Sequence, residues 1–134
     1  MKRRRLDHID LRVKDYDRAY QFYSRILPVI GFTCDRSEGN WATFYSAGGN
    51  EVSDFFGFTV DPNHRPNETR VAFWAENRKE LDDLAHLVRE AGAQNIEGPE
   101  LCADYSPGYY AVFFEDPDGN KLEICFRESP IIRD

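Results

Sequence analysis

The chain has 134 residues, 41% of them hydrophobic and 14% aromatic, and carries a formal net charge of −7. That length fits one domain with an ordinary buried core. The acidic balance, with a pI near 5.0, argues against a nucleic-acid partner, whose polyanionic backbone demands a basic face. No stretch approaches the roughly 18 apolar residues of a membrane span, and no apolar region follows the basic start, so a cytoplasmic setting is expected. Lys2-Arg3-Arg4-Arg5 reads as a solvated tail in preference to a phosphate or membrane patch. Cys34, Cys102 and Cys125 are odd in number and lack CxxC or zinc spacing, as befits reduced thiols.

In chain order, His8 to Val13 alternates apolar Ile9, Leu11 and Val13 with polar His8, Asp10 and Arg12, the period of a half-buried strand. From Tyr16 to Ile26, Ala19, Phe22, Tyr23 and Ile26 form the i, i+3, i+4, i+7 stripe of an amphipathic helix, which Pro28 and Gly31 are expected to end. Strand-like runs follow around Phe32 to Arg36, Trp41 to Ser46 and Val52 to Phe58, separated by glycine-containing turns. The segment VDPNHRPNE, with two prolines, reads as a linker.

After the linker the pattern restarts. An offset of 62 residues lays RVAFWAEN at Arg70 to Asn77 over HIDLRVKD at His8 to Asp15, and the helical stripe returns at Leu81, Leu84, Ala85 and Val88. Strands at Asn95 to Glu97, Tyr109 to Glu115 and Lys121 to Phe126 complete the second half, with DPDGN at Asp116 to Asn120 closing the last hairpin. The expected fold is therefore α+β: tandem βαβββ modules forming a curved mixed sheet around a cleft. It is expected as a single domain over 1–134, with module one at about 6–59, a linker at about 60–68 and module two at about 69–127. Each helix covers one face of its sheet, so His8, Asp10, Arg12, Arg70, Ala72, Trp74, Glu123 and Cys125 are expected on the other.

Three tokens, LDHIDLRVKDYDRAYQFY, Gly31-Phe32 and FEDPDGNKLEI, carry a resemblance to the vicinal oxygen chelate superfamily, which spans glyoxalase I, extradiol dioxygenases, fosfomycin-resistance enzymes and bleomycin-resistance proteins. The resemblance runs from about Leu6 to Arg127 and implies the paired-module fold, a small-molecule ligand and a homodimer. In metal-using members it also implies one divalent ion, held by the first and last strands of each module and acting as a Lewis acid on vicinal oxygens. His8 and Glu123 match two such positions. Asp54, with Glu51 as a second register, is the expected match for the third. The fourth is Arg70, where histidine is usual. Arginine cannot coordinate a cation, so the metal site is expected to be incomplete; His64, in the linker between Asn63 and Arg65, reads as solvated.

Each candidate keeps an alternative. Glu123 is a ligand, a base or a partner of Arg70, whose planar fork suits a carboxylate. His8 is a metal ligand, a general base or a hydrogen-bonded strand residue. Arg70 could stabilise an oxyanion in a metal-free reaction. Trp41, Tyr45, Trp74 and Tyr109 are candidate ligand-binding aromatics or simply packing groups, Cys125 is a small space-filler or a reactive thiol, and the Cys102 to Tyr110 loop is a candidate pocket cover. A metal-free small-molecule binder is the favoured reading; a divalent-metal lyase or ring-cleaving dioxygenase is the alternative.

Overall fold

The computed structural model describes residues 5–128; Lys2, Arg3 and Arg4 of the basic run lie outside them. The chain divides into two compact units, one running to Arg65 and the other starting at Pro66, a division that falls inside the proline-bearing linker. Each unit holds one four-stranded mixed sheet and one helix.

In unit one, β1 (His8–Val13) leads into α1 (Tyr16–Ile30), then β2 (Cys34–Asp35), β3 (Trp41–Tyr45) and β4 (Phe55–Val60). The sheet order is β1-β4-β3-β2, with β1 and β4 parallel and the other neighbours antiparallel. Asp15 caps α1 by accepting the Arg18 N–H at 3.0 Å, and substitution of such a cap typically costs about 0.5–2 kcal/mol. The expected stripe of Ala19, Phe22, Tyr23 and Ile26 is buried, joined by Leu27. It packs on the apolar face of the sheet, where the Tyr23 ring lies 5.8 Å from Phe56 and 5.4 Å from Phe58.

Two expectations need correction in this unit. Pro28 does not end α1, which runs to Ile30 with Gly31 as its cap at φ 136°. A proline removes only its own N–H, and the last turn still closes through Gly31 and Phe32 N–H groups on the Leu27 carbonyl, at 3.0 and 2.9 Å. The last strand is Phe55–Val60, three residues later at its start than the expected Val52 to Phe58. Ser46 and Ser53 divert the preceding segment, the former by donating to Asp54 at 2.5 Å and the latter by accepting the Ala47 N–H at 3.1 Å.

Unit two repeats the plan with β5 (Arg70–Trp74), α2 (Arg78–Ala91), β6 (Gln94–Leu101), β7 (Tyr110–Glu115) and β8 (Lys121–Phe126), in the order β5-β8-β7-β6. Asn77 caps α2 through the Glu80 N–H at 2.8 Å, and Glu80 reaches back to the Glu76 N–H at 3.2 Å, two orphan donors satisfied as in a capping box. Leu81, Leu84, Ala85 and Val88 are buried on α2, and Leu122 and Ile124 on β8. Strand β6 is longer than the expected Asn95 to Glu97, and its pairing with β7 shifts register twice.

The β7–β8 hairpin is held by Asp116, a fully buried carboxylate that accepts from the Asp118 and Asn120 N–H groups at 2.9 Å and from the Asn120 side-chain amide at 2.8 Å. Gly119, at φ 92°, supplies the backbone conformation a side chain resists. This turn sets the pairing of β8 with β7 and so decides which face Glu123 occupies.

The registers also show which positions the two modules share. Asp10 pairs with Gly57, and Ala72 pairs with Glu123; because Asp10 and Ala72 are 62 residues apart, Gly57 occupies in module one the place of Glu123 in module two. A Cβ at Gly57 would sit 2.1 Å from the Ala42 carbonyl oxygen, a backbone contact that a side chain cannot enter without moving the β3–β4 pair. Gly57→Ala is expected to cost about 1–3 kcal/mol, the range for overpacking, as a lowered urea midpoint; wild-type stability in that variant would show that the sheet yields freely there.

Candidate functional site

The face of each sheet away from its helix carries the polar strand residues. In unit one His8 stacks on Phe55, ring centroids 4.4 Å apart and planes 4° from parallel, while its Nδ1 meets Asp7 at 2.7 Å. Tyr45, the antiparallel partner of Phe55, extends this aromatic row with centroids 4.9 Å apart. Tyr45 and Phe55 line an open depression of about 490 Å³ with Asp7, Arg36 and Glu51. Asp10 accepts the Thr59 hydroxyl at 3.0 Å and pairs with Arg12 at 3.1 Å. Trp41 is 53% exposed. Asp54 lies ahead of β4, exposed, and receives the Ser46 hydroxyl, so it is off the strand on which a last-strand ligand would sit.

In unit two Glu123 is buried, 5% exposed. A carboxylate removed from water needs a partner, and its partner is the Tyr109 hydroxyl, which donates to Oε2 at 2.5 Å. Tyr109 arrives from the loop after β6, whose turn is closed by the Cys102 N–H on the Tyr109 carbonyl at 2.7 Å and the Tyr109 N–H on the Ser106 carbonyl at 3.1 Å. Tyr109, Ala111 and Cys125 form a buried cluster on this face, with Cys102, Tyr105 and Phe113 packed against it. The Cys102 to Tyr110 segment thus lies over the polar face of its own sheet. Burial, and then hydrogen bonding to Glu123 and Cys125, pushes the Tyr109 hydroxyl well above the ordinary tyrosine value. Burial likewise raises the Cys125 thiol, which counts against a reactive thiolate.

Arg70 takes a different partner from the carboxylate weighed for it. Its guanidinium lies over the Phe113 ring at 4.8 Å, and among the described residues no ion pair joins it to Glu123. It lines a recess of about 310 Å³ with Glu97, Glu100, Asp104, Tyr105 and Phe113. At the other end of β5, Trp74 is 62% exposed and the Arg127 guanidinium lies 5.1 Å from its ring centroid. Trp74, Arg127 and Tyr109 line a smaller recess of about 250 Å³ with Ala72, Phe73 and Cys125.

The donor set for a divalent ion is poor. Of the four strand positions, His8 and Glu123 carry possible ligands, Arg70 carries a permanent cation, and Gly57 carries no side chain and has no room for one. Glu123 is already engaged by Tyr109. Among the described residues no group of three or more His, Cys, Asp or Glu side chains is placed to hold a metal ion.

The fold and the residue pattern agree with what comparison with known proteins returns. The profile of the Glyoxalase/Bleomycin resistance protein/Dioxygenase superfamily matches residues 5–124. The chain belongs to that superfamily. It is 25% identical over 126 residues to the uncharacterized protein YaeR of Escherichia coli (strain K12), covering 90% of this chain and 95% of YaeR. A glyoxalase/bleomycin resistance protein from Albidiferax ferrireducens T118 superposes with a TM-score of 0.72 at 21% identity, covering 92% of this chain and 98% of that one. Fosfomycin resistance protein FosX from Mesorhizobium loti does so at 0.68 with 14% identity, over 95% of each chain. At these identities the structural likeness establishes the fold, and the chemistry rests on this chain's own residues.

Sequence reading reached His8, Arg70, Glu123, Trp74 and Tyr109, but it did not connect Tyr109 with Glu123, since the two are 14 residues apart, one in the loop ahead of β7 and the other in β8. The equivalence of Gly57 with Glu123 was hidden because the modules differ in length between helix and last strand. Tyr109→Phe is expected to lower stability by about 1–3 kcal/mol, the cost of leaving a buried acceptor without its donor, measured by urea unfolding at neutral pH. The raised tyrosine also gives a pH dependence. Its stabilisation is present in full below about pH 10, the unfolded value, and is lost as pH climbs towards the higher folded value. Phenolate absorbance should show one tyrosine that ionises only with unfolding, and that step should vanish in Tyr109→Phe.

Proposed function

We propose that this superfamily member binds a small molecule on the polar face of module two without a resident divalent metal. The observation that carries this reading is Gly57: where the resemblance calls for a module-one carboxylate, the chain has a glycine whose Cβ position is filled by the Ala42 carbonyl. Arg70 supports it, because a fixed positive charge on the adjoining ligand position repels a divalent ion. Among the described residues, the side chains present do not make a metal centre.

In this reading Glu123 and Tyr109 form a fixed, hydrogen-bonded floor, and Trp74 and Tyr109 supply aromatic surface to a ligand. Arg70 offers a guanidinium at one edge, while His8 is the accessible proton-transfer group of the module-one face. Trp41 and Tyr45 offer aromatic surface on that same face. Three free cysteines and the absence, among the described residues, of any helix long and apolar enough to cross a membrane are consistent with the proposed cytoplasmic setting. A homodimer, implied by the resemblance, belongs to the same proposal and is checked by light scattering.

Metal analysis of protein prepared without chelator, then offered nickel, iron, manganese and zinc in turn, is expected to find far less than one ion per chain. Arg70→His alone should not change that, since position 57 still lacks a donor. One tightly held ion per wild-type chain would overturn the proposal and favour the metal-dependent lyase or dioxygenase reading.

A further inference from the structure

The depression of about 490 Å³ in module one lies within the roughly 300–1,000 Å³ of small-molecule sites. Its floor follows from strand register. Cys34 pairs with Tyr45, Tyr45 with Phe55 and Phe55 with His8, and side chains of directly paired residues share a face. Tyr45 and Phe55 thereby give the depression two half-buried aromatic rings.

Its lining carries one guanidinium, Arg36, and two carboxylates, Asp7 and Glu51. Asp7 is engaged by the His8 ring at 2.7 Å. Arg36 and Glu51 are exposed, and among the described residues neither side chain has a hydrogen bond or ion pair, with the other or with a third group. Both stand on backbone that is held in place. Arg36 donates its N–H to the Thr43 carbonyl at 2.9 Å, and its own carbonyl accepts the Thr43 hydroxyl at 3.1 Å. The Glu51 loop is closed at its stem by the Ser46 N–H on the Asp54 carbonyl at 3.0 Å and the Ala47 N–H on Ser53 Oγ at 3.1 Å.

Opposite charges that line one space without meeting suit a ligand that answers both. A simple anion would gain Arg36 but face two carboxylates, and a simple amine would face the guanidinium. A molecule with both charges finds an opposite partner for each. We infer that this depression binds a zwitterion of the free aromatic amino acid class, its ring against Tyr45 and Phe55, its carboxylate on Arg36 and its ammonium on Glu51. The site is independent of whether module two holds a metal, so either reading fails without the other.

Amide-resolved NMR titration of the full chain with L-phenylalanine, 3-phenylpropanoate, which lacks the ammonium, and 2-phenylethylamine, which lacks the carboxylate, tests each charge separately. L-Phenylalanine is expected to bind one per chain and about fivefold tighter than either analogue, the upper end of what an exposed charge pair contributes. The largest shifts should fall at Cys34 to Arg36 and Ala47 to Phe55. Arg36→Gln should bring L-phenylalanine to the affinity of 2-phenylethylamine, and Glu51→Gln to that of 3-phenylpropanoate. Both side chains are exposed, so the spectra of the variants should match the wild type away from the depression. Equal or tighter binding of either analogue, a preference that survives either substitution, shifts centred on module two, or no binding by any of the three would overturn the inference.

Discussion

Parallel pairing between the first and last strands of each module is the constraint on which the rest of the molecule depends. Alternate residues of paired strands point to opposite faces, and a slip of one residue would exchange the two sets. In module two the pairing of Ala72 with Glu123 and of Phe73 with Ile124 sends Leu122 and Ile124 under α2 and Glu123 and Cys125 to the other side. Reversing it would press a carboxylate into the helix contact and expose two fully buried aliphatic side chains. The Asp116-centred turn reinforces the register from the β7 side, so a polar network in a hairpin of five residues helps determine the address of the candidate site.

Once Glu123 is placed on that face and buried, the remainder of the site answers to it. Tyr109 donates to it, the Cys102 to Tyr110 segment is drawn over the sheet, and the protonated tyrosine takes up the cost of an otherwise isolated charge. The two arginines then lie at opposite ends of the β5–β8 pair, each within reach of an aromatic ring, Arg70 at Phe113 and Arg127 at Trp74. Module one has drifted in the opposite sense. Its carboxylate is on the first strand, as Asp10, held by Arg12 and Thr59, while the last strand has Gly57. The repeat has preserved backbone geometry and redistributed the chemistry.

Much of this architecture was legible in the residues. The period of two in His8 to Val13 and the stripe of Ala19, Phe22, Tyr23 and Ile26 were sufficient because each reports burial on one face of a single element. The repeat itself showed in the spacing of like elements. What misled was local chemistry whose meaning depends on neighbours: Pro28 looked like a stop, yet the turn closes without its N–H, and Val52 to Asp54 looked like strand, yet their segment is tied down by serine hydroxyls.

The sequence by itself determined the α+β class, the doubled βαβββ order, the helix-facing residues and the outward aim of Glu123, because all of these follow from periodicity and turn chemistry within short stretches. Only the tertiary structure decided that Glu123 belongs with Tyr109, that Arg70 rests on Phe113, and that Gly57 stands in Glu123's place. Those facts arise from strand register and loop closure between residues distant along the chain, and no local pattern of side chains encodes which of several possible partners is brought within hydrogen-bonding distance.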